Sequence, residues 1–321
     1  MKLLLLLWLL IILPSCQFNP QAEDEKLKSP FTSSSSVTYH VSQNFTLLNE
    51  GPLAAEKHNI WIALIGDHAP YQEIVSRDIH PENYLIITDE YGNQYAEFDL
   101  KDLAPGASEQ LNIDYEITVK ELAYDLDDCR GDLPQEFDQP ELHIESNNPQ
   151  IVDLANKLSL PEQTVCEQVQ AFYDHIGQNL VYTYNGNDWG AQAALGKMGA
   201  DCTEYSSLLI ALSRSSGIPA RYVEGLLFMD ERDPTLARQE HAWVEVLFPG
   251  SGWVPIDPTL GRSSLTREQH FARYSPNHII VTKGRHPSTL RGASYWSHLY
   301  WPGDSTTIHI ENAGWTITPI G

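Results

Sequence analysis

The chain has 321 residues, four cysteines and a formal net charge of −23 at pH 7. This acidic excess disfavours nucleic acids, polyphosphates and anionic lipid surfaces as partners, and it favours neutral or cationic substrates. The length predicts about two domains of ordinary size once the terminal segments are set aside.

The N-terminus carries the pattern of a bacterial export signal. Lys2 supplies a positive charge, and the apolar run 3–13 is shorter than the ~20 residues that span a bilayer. The run leads into a tetrapeptide that closes on Cys16 and resembles the lipobox of bacterial lipoproteins. We therefore expect residues 1–15 to be a signal peptide and Cys16 to be lipidated, which would anchor an exported protein at the periplasmic or extracellular face of the bacterial cell membrane. The alternative is an ordinary cleaved signal with an incidental cysteine.

Two regions of different composition follow the anchor. Residues 16–36 are polar and end in four serines, so we interpret them as a flexible tether. Residues 37–124 are predicted to form a β-sandwich domain, for which adhesion or spacing is the default role. Stretches rich in Ile, Val, Tyr and Phe predict strands at 59–65, 84–88, 94–98 and 111–119, with a hairpin turn at 90–93.

Residues 125–150 are acidic and irregular, and we interpret them as a solvated interdomain linker. A calcium loop is the alternative, although Cys129 and Arg130 stand where an EF-hand loop needs an oxygen ligand and a glycine. If Cys16 is lipidated and Cys202 is a reactive thiol, Cys129 and Cys166 remain. They are then either a disulfide in an oxidising exterior or two buried thiols, and spacing alone does not decide between them.

The apolar spacing becomes helical from Ile151 onward and predicts two scaffold helices. A third predicted helix opens with Cys202. Its apolar stripe recurs at i, i+3, i+4 and i+7: Tyr205, Leu208, Leu209 and Leu212. Because the first N–H groups of a helix are unpaired and the helix dipole is positive there, this position favours a thiolate.

Three strands are predicted downstream, at 220–228, 241–248 and 252–256, with His241 opening the second and Asp257 following the third. A thiol nucleophile needs an imidazole to take its proton, and the imidazole needs a carboxylate to fix its tautomer. Cys202, His241 and Asp257 supply these three groups. No cofactor and no metal are expected, since the C-terminal histidines lack metal-ligand spacing.

The residues around these positions resemble the transglutaminase-like superfamily of cysteine enzymes. The shared motifs are Asp201 to Tyr205, Gly217 to Arg221, His241 to Trp243, Gly252 with Trp253, and Asp257 to Thr259. The resemblance covers 151–283 and leaves 284–321 as a C-terminal β extension, read as extra strands that cover the core. It implies an α+β fold class with a papain-like core, in which a cysteine-bearing helix packs on an antiparallel sheet. It also implies that Cys202 is the nucleophile, His241 the base and then acid, and Asp257 the orienting group.

The expected function is that of a cell-surface cysteine hydrolase (peptidase or amidase) or acyltransferase. Cys202 would attack a peptide or glutamine-type amide, and water or an amine would resolve the thioester. The backbone N–H of Cys202 is one expected oxyanion donor, and the candidates for the second are Gln192, Asn187 and Trp189. Trp243 is expected in the cleft wall. The alternative is a catalytically silent lipoprotein that binds peptides or cell-wall material on the same fold.

Overall fold

The computed structural model describes residues 29–55, 59–126, 129–184, 190–196, 199–229, 240–290, 298–301 and 308–320. The predicted signal peptide, the predicted lipidation site Cys16 and most of the predicted tether lie outside these residues. Within the described ranges, none of the helices has the length and apolar character needed to cross a membrane.

The N-terminal half of the chain forms two antiparallel sheets that share an apolar core. The strands of the first sheet are β1 (Phe31–Asn49), β3 (Gln72–His80), β6 (Ser108–Tyr124), β10 (Arg273–Tyr274) and β13 (Ile308–Ile320). Those of the second are β2 (Asn59–Leu64), β4 (Leu85–Thr88), β5 (Gln94–Asp99) and β12 (His298–Trp301). Because side chains alternate along a strand, every second residue enters the core, among them Val41, Ile60 and Ile113. The predicted β-sandwich is confirmed.

Both ends of the described chain belong to this sandwich. β13 pairs with β1, and β12 pairs with β2, so part of the predicted C-terminal extension returns to complete the N-terminal sheets. β1 also starts earlier than the predicted tether boundary, because Ser36 already pairs with Lys120 of β6. The hydroxyls of Ser34 and Ser35 donate to Glu121 at 2.6 and 2.9 Å. The serine run is therefore strand rather than tether, since the neighbouring strand satisfies its polar groups.

A second unit combines four helices with one antiparallel sheet. The helices are α1 (Pro149–Leu158), α2 (Val165–Asn179), α3 (Gly190–Ala194) and α4 (Cys202–Ser215). The sheet has the order β11 (His278–Lys283), β7 (Ala220–Leu227), β8 (Glu240–Phe248) and β9 (Gly252–Ile256). α4 lies against β7 and β8 and is buried along almost its whole length. The expected α+β class, with a cysteine-bearing helix on an antiparallel sheet, is confirmed.

The acidic segment 125–150 is attached to this second unit instead of being a free linker, although most of its described residues are exposed or half-buried. A disulfide joins Cys129 to Cys166 of α2, with the two Cα atoms 5.7 Å apart. Glu141 forms an ion pair of 2.7 Å with Arg214, whose side chain is almost completely buried. The acidic composition indicated a solvated surface, but the disulfide and the buried arginine hold the segment in place. Two residues of the calcium-loop alternative lie outside the described residues: Asp127 and Asp128.

Candidate active site

The start of α4 places Cys202 at the first helical position. Asp201 caps the helix: its carboxylate accepts the backbone N–H of Thr203 at 3.0 Å, and Glu204 accepts the N–H of Asp201 at 2.9 Å. This reciprocal capping box satisfies helix-terminal N–H groups that have no partner inside the helix. The thiol of Cys202 is free and partly exposed, so a substrate can reach it.

A hydrogen bond between α4 and β8 brings the cysteine and the histidine together. The Ser206 hydroxyl, one helical turn after Cys202, donates to the carbonyl oxygen of Ala242 at 3.2 Å. Ala242 follows His241 directly, so this bond fixes the helix start beside the start of the strand. The sequence interpretation missed Ser206. A small polar residue inside an otherwise apolar helix was the available signal.

His241 lies between the thiol and the carboxylate. Its Nε2 is 2.7 Å from Oδ2 of Asp257, and the Cys202 side chain is close enough to the ring to influence its pKa. Because Nε2 faces Asp257, Nδ1 is the nitrogen left for the thiol. Burial alone lowers the pKa of the His241 ring, but the charge and hydrogen bond of Asp257, together with Cys202, raise it to about 10. The geometry therefore favours an imidazolium next to the sulfur.

Both oxygens of the Asp257 carboxylate take part in hydrogen bonds. Oδ1 accepts the backbone N–H groups of Thr259 and Leu260, each at 2.9 Å, and Oδ2 faces His241. Burial alone would raise the pKa of Asp257, but the charge and hydrogen bonds of the neighbouring rings hold it far below its usual range. The residue is therefore an ionised carboxylate that can orient His241.

His278 is a further member of the cluster. Its Nε2 lies 3.2 Å from the same Oδ2 of Asp257, and its side chain is only 5% exposed. The sequence analysis gave this residue no role. Its place at the start of the last strand of the sheet was the available signal, since strand ends carry the other two site residues of the sheet.

Trp243 lies beneath the site, although it was expected in the cleft wall. It is 1% exposed, its ring stacks on His241 with centroids 6.0 Å apart, and it meets His278 edge-on at 5.0 Å. Gly225 on β7 makes room for this ring: a Cβ there would lie 2.7 Å from the indole and would collide with the Ile279 carbonyl oxygen. The tryptophan thus supports both imidazoles from inside the domain.

One of the three predicted oxyanion donors can be located. Gln192 lies on α3 with an exposed side chain, and its backbone N–H donates to Glu145 at 3.1 Å. Asn187 and Trp189 lie outside the described residues. The assignment of the second donor stays a prediction.

Three side chains of the cluster are also potential metal ligands. One ligand atom from each of His241, Asp257 and His278 lies within 4.8 Å of the others. An ion bound at ~2 Å to both a histidine and a carboxylate in tetrahedral geometry would hold the two ligand atoms about 3.3 Å apart. His241 Nε2 and Asp257 Oδ2 are 2.7 Å apart, which is a direct hydrogen-bond distance. We therefore interpret the contacts as hydrogen bonds.

Thiol, imidazole and carboxylate thus lie together on a helix and an antiparallel sheet, the arrangement of a nucleophile with its base and orienting group. Residues 152–258 match the sequence model of the transglutaminase-like superfamily. This part of the chain is a transglutaminase-like core domain.

Two comparisons extend beyond the core domain. Over 172 residues the chain is 28% identical to the uncharacterized protein YebA of Bacillus subtilis; the match covers 46% of this chain and 23% of YebA. The chain therefore spans less than a quarter of that relative. A candidate cysteine protease from Cytophaga hutchinsonii has a similar fold, with a TM-score of 0.64, 17% identity, and coverage of 91% of this chain and 93% of that one.

The periplasmic domain of TgpA from Pseudomonas aeruginosa aligns less well. Its TM-score is 0.36 with 16% identity, and the alignment covers 76% of this chain and 99% of that one.

Proposed function

We propose that the protein is a thiol enzyme that cleaves or transfers acyl groups of peptide or glutamine-type amides through a thioester on Cys202. The observation that carries the proposal is the 2.7 Å hydrogen bond between His241 and Asp257 beside the free, partly exposed Cys202. A buried carboxylate and a buried imidazole beside a partly exposed thiol are costly to maintain unless they are paired. Such pairs are enriched at catalytic sites.

The reaction follows from the positions of the three groups. The Cys202 thiolate attacks the amide carbonyl carbon, and the C–N bond breaks as the His241 imidazolium gives its proton to the departing amine. The acyl group stays on sulfur as a thioester. Water or a second amine, deprotonated by the now neutral His241, attacks the thioester, and the thiolate leaves with the imidazolium restored.

The residues around the site suggest donors for the oxyanion, and the net charge of the protein suggests the charge of the substrate. The backbone N–H of Cys202 is among the first N–H groups of α4, which have no partner within the helix, and it supplies one donor to the developing oxyanion. Gln192, on the neighbouring helix α3, is the proposed second donor. With a net charge of −23, the protein should attract neutral or cationic peptides rather than acidic ones.

We place the enzyme outside the cytoplasm, anchored to the membrane by a lipid on Cys16. The N-terminal pattern supports this location, and so does the disulfide between Cys129 and Cys166, because disulfides persist in oxidising compartments. Membrane anchoring would hold the site near cell-surface peptides.

The first test measures the reactivity of Cys202. Full-length protein with its disulfide intact is treated with iodoacetamide near neutral pH, and modification of each cysteine is followed by peptide mass analysis. We expect Cys202 to react far faster than an ordinary protein thiol and His241→Ala to slow it by about 100-fold or more, since the imidazole stabilises the thiolate. His175→Ala, on α2, is the matched control and should react like the wild type.

The second test looks for the intermediate. The protein is incubated with peptide amides, and Cys202 is examined for a trapped acyl group; a fluorescent primary amine in the reaction separates transfer from hydrolysis. An acyl adduct on Cys202 supports the proposal. An unreactive Cys202 that is indifferent to His241→Ala would instead favour a binding protein on the same fold.

A further inference from the structure

Two imidazoles share one carboxylate oxygen in this site. Oδ2 of Asp257 lies 2.7 Å from Nε2 of His241 and 3.2 Å from Nε2 of His278. The reaction described above uses only the first contact. The second contact is equally shielded from water, because the side chains of Asp257 and His278 are 6% and 5% exposed.

The protonation state of His278 follows from its partners. Burial lowers the pKa of this ring, so near neutral pH it is uncharged and carries a single N–H. Its Nδ1 lies 3.0 Å from the side-chain oxygen of Asn277, and its Nε2 faces Asp257. A carboxylate is the stronger acceptor of the two, so we place the proton on Nε2, where it is donated to Asp257; Nδ1 then accepts, which requires the Asn277 amide to turn its NH2 group toward the ring.

We propose that His278 is a positioning residue: its Nε2–H shares the Asp257 carboxylate with His241, which fixes the carboxylate and limits the negative charge that His241 feels. The inference rests on the proposed function, since it concerns the same site.

The shared carboxylate has a chemical consequence for the proton on His241. If Asp257 had no second ring as donor, its Oδ2 would offer all of its charge to the imidazolium, which would then bind its proton more tightly. During acylation His241 must release that proton to the departing amine, and general acids work best when their pKa is close to the working pH. By donating to the same oxygen, His278 reduces the negative charge that Asp257 offers to His241. His241 can then both hold and release its proton.

The β-sandwich fixes the strand that carries His278. The Tyr71 hydroxyl lies within hydrogen-bonding reach of the carbonyl oxygens of Ser275 and His278. The side chain of Gln72 hydrogen bonds with both backbone groups of Ile280. It donates to the Ile280 carbonyl oxygen at 2.9 Å and accepts the Ile280 N–H at 2.8 Å. Together with the edge-on contact to Trp243, these bonds define where the ring stands. The N-terminal domain thus contributes to the geometry of the site.

Several elements present ionisable groups to this cluster. They are Cys202 on α4, His241 on β8, His278 on β11, Tyr173 on α2, and Arg262 and His270 in the turns after β9. His270 is half-buried, which lowers its pKa, so it adds no charge near neutral pH. A change in the His241 titration on altering His278 alone can therefore be assigned to the shared carboxylate.

The test compares two replacements of His278 in the full-length protein. His278→Phe keeps a ring against Trp243 and removes the N–H, whereas His278→Gln keeps an N–H donor. The ring signals of isotopically labelled histidines are followed by NMR against pH and assigned with His241→Ala. We expect His278→Phe to raise the proton affinity of His241 about tenfold, the size of a hydrogen bond to a charged group, and His278→Gln to titrate close to the wild type.

Turnover gives a second readout. His278→Phe should lower kcat more than it changes KM, by about 10- to 100-fold as expected for a misplaced catalytic group, and His278→Gln should restore most of it. His40→Phe, on the exposed face of the sandwich, is the control for exchanging a histidine for phenylalanine.

The inference is overturned if His241 titrates identically in the wild type and in His278→Phe. If His278→Phe does not fold, the wild type decides by itself: nitrogen shifts must show a neutral His278 with its proton on Nε2, and a proton on Nδ1 or a charged ring refutes the proposal. Alkylation of Cys202 in the wild type tests the proposed function separately. A reactive Cys202 with an unresponsive His278 would remove this inference alone.

Discussion

The two interiors of the molecule are built on different principles. The core of the β-sandwich is formed mainly by apolar side chains such as Val41, Ile60 and Ile113, with polar residues alternating outward. The transglutaminase-like core domain buries ionisable groups, including Glu245 and Asp257 at 2% and 5% exposure. An apolar interior supplies shape and stability. A buried charge has to be held by partners, and such a group is one whose proton affinity the protein can set.

Two sets of buried charges in the core domain have different roles. The first set is the candidate active site. In the second, Glu245 accepts from Lys283 at 2.9 Å and from Tyr274 at 2.6 Å, and it pairs with Arg221 at 2.6 Å. These partners hold the pKa of Glu245 below its usual range despite burial. Because the charges of this set are paired with one another, we interpret it as structural.

The largest predicted effect is on the reactivity of the candidate active site. Asp257→Asn removes the charge that stabilises the His241 imidazolium. The amide of the asparagine can also present its NH2 donor, instead of an acceptor oxygen, to Nε2 of His241. We expect turnover to fall by about 10²- to 10⁴-fold with little loss of folded protein. Alkylation of Cys202 near neutral pH should slow in parallel. Asp174→Asn, a partly exposed residue of α2 that pairs with Arg267, is the control, and an equal loss in both variants would contradict the assignment.

A second effect concerns the structural set. Glu245→Gln leaves Arg221 and Lys283, both only partly exposed, without this countercharge, so we expect the free energy of unfolding to fall by about 3–5 kcal/mol. Urea denaturation monitored by tryptophan fluorescence measures this. Glu73→Gln on the exposed face of β3 should change stability by less than about 0.5 kcal/mol. Similar small changes in both variants would show that the buried set does not depend on its charges.

A third prediction concerns the apolar core of the β-sandwich. Ile113→Ala leaves a cavity in the apolar core and should lower the free energy of unfolding by about 3 kcal/mol. The rate of Cys202 alkylation in the folded protein should remain that of the wild type, because Ile113 contributes no charge to the site. A slower alkylation at full folding would show that core packing of the sandwich reaches the site.

A further effect is a dependence of stability on pH. The pKa of His241 is raised from 6.5 to about 10 on folding, so its contribution is complete below pH 6.5 and is lost as the pH rises through about 10. The depressed pKa of Asp257 acts in the opposite direction and costs stability only in acid. Unfolding free energies measured across this range should decline more steeply for the wild type than for His241→Gln. Equal slopes would contradict the raised pKa.

Much of the core domain could be predicted because its signals are local. The apolar stripe after Cys202 predicted α4, and alternation and turn residues predicted the strands that end near His241 and Asp257. The acidic segment was taken for a free linker, since composition indicates solvent exposure but does not show the disulfide that joins the segment to α2. Cys129 and Cys166 were recognised as candidates for pairing, but only the fold brings them together.

By itself, then, the sequence determined where α4 and the strands of the central sheet form and which three residue types could act together, because these depend on neighbours within a few positions. Tertiary structure decided that β13 returns to pair with β1, and that His278 reaches the same carboxylate oxygen as His241. Such pairings join residues far apart along the chain. They follow from the packing of whole sheets, for which no local pattern exists.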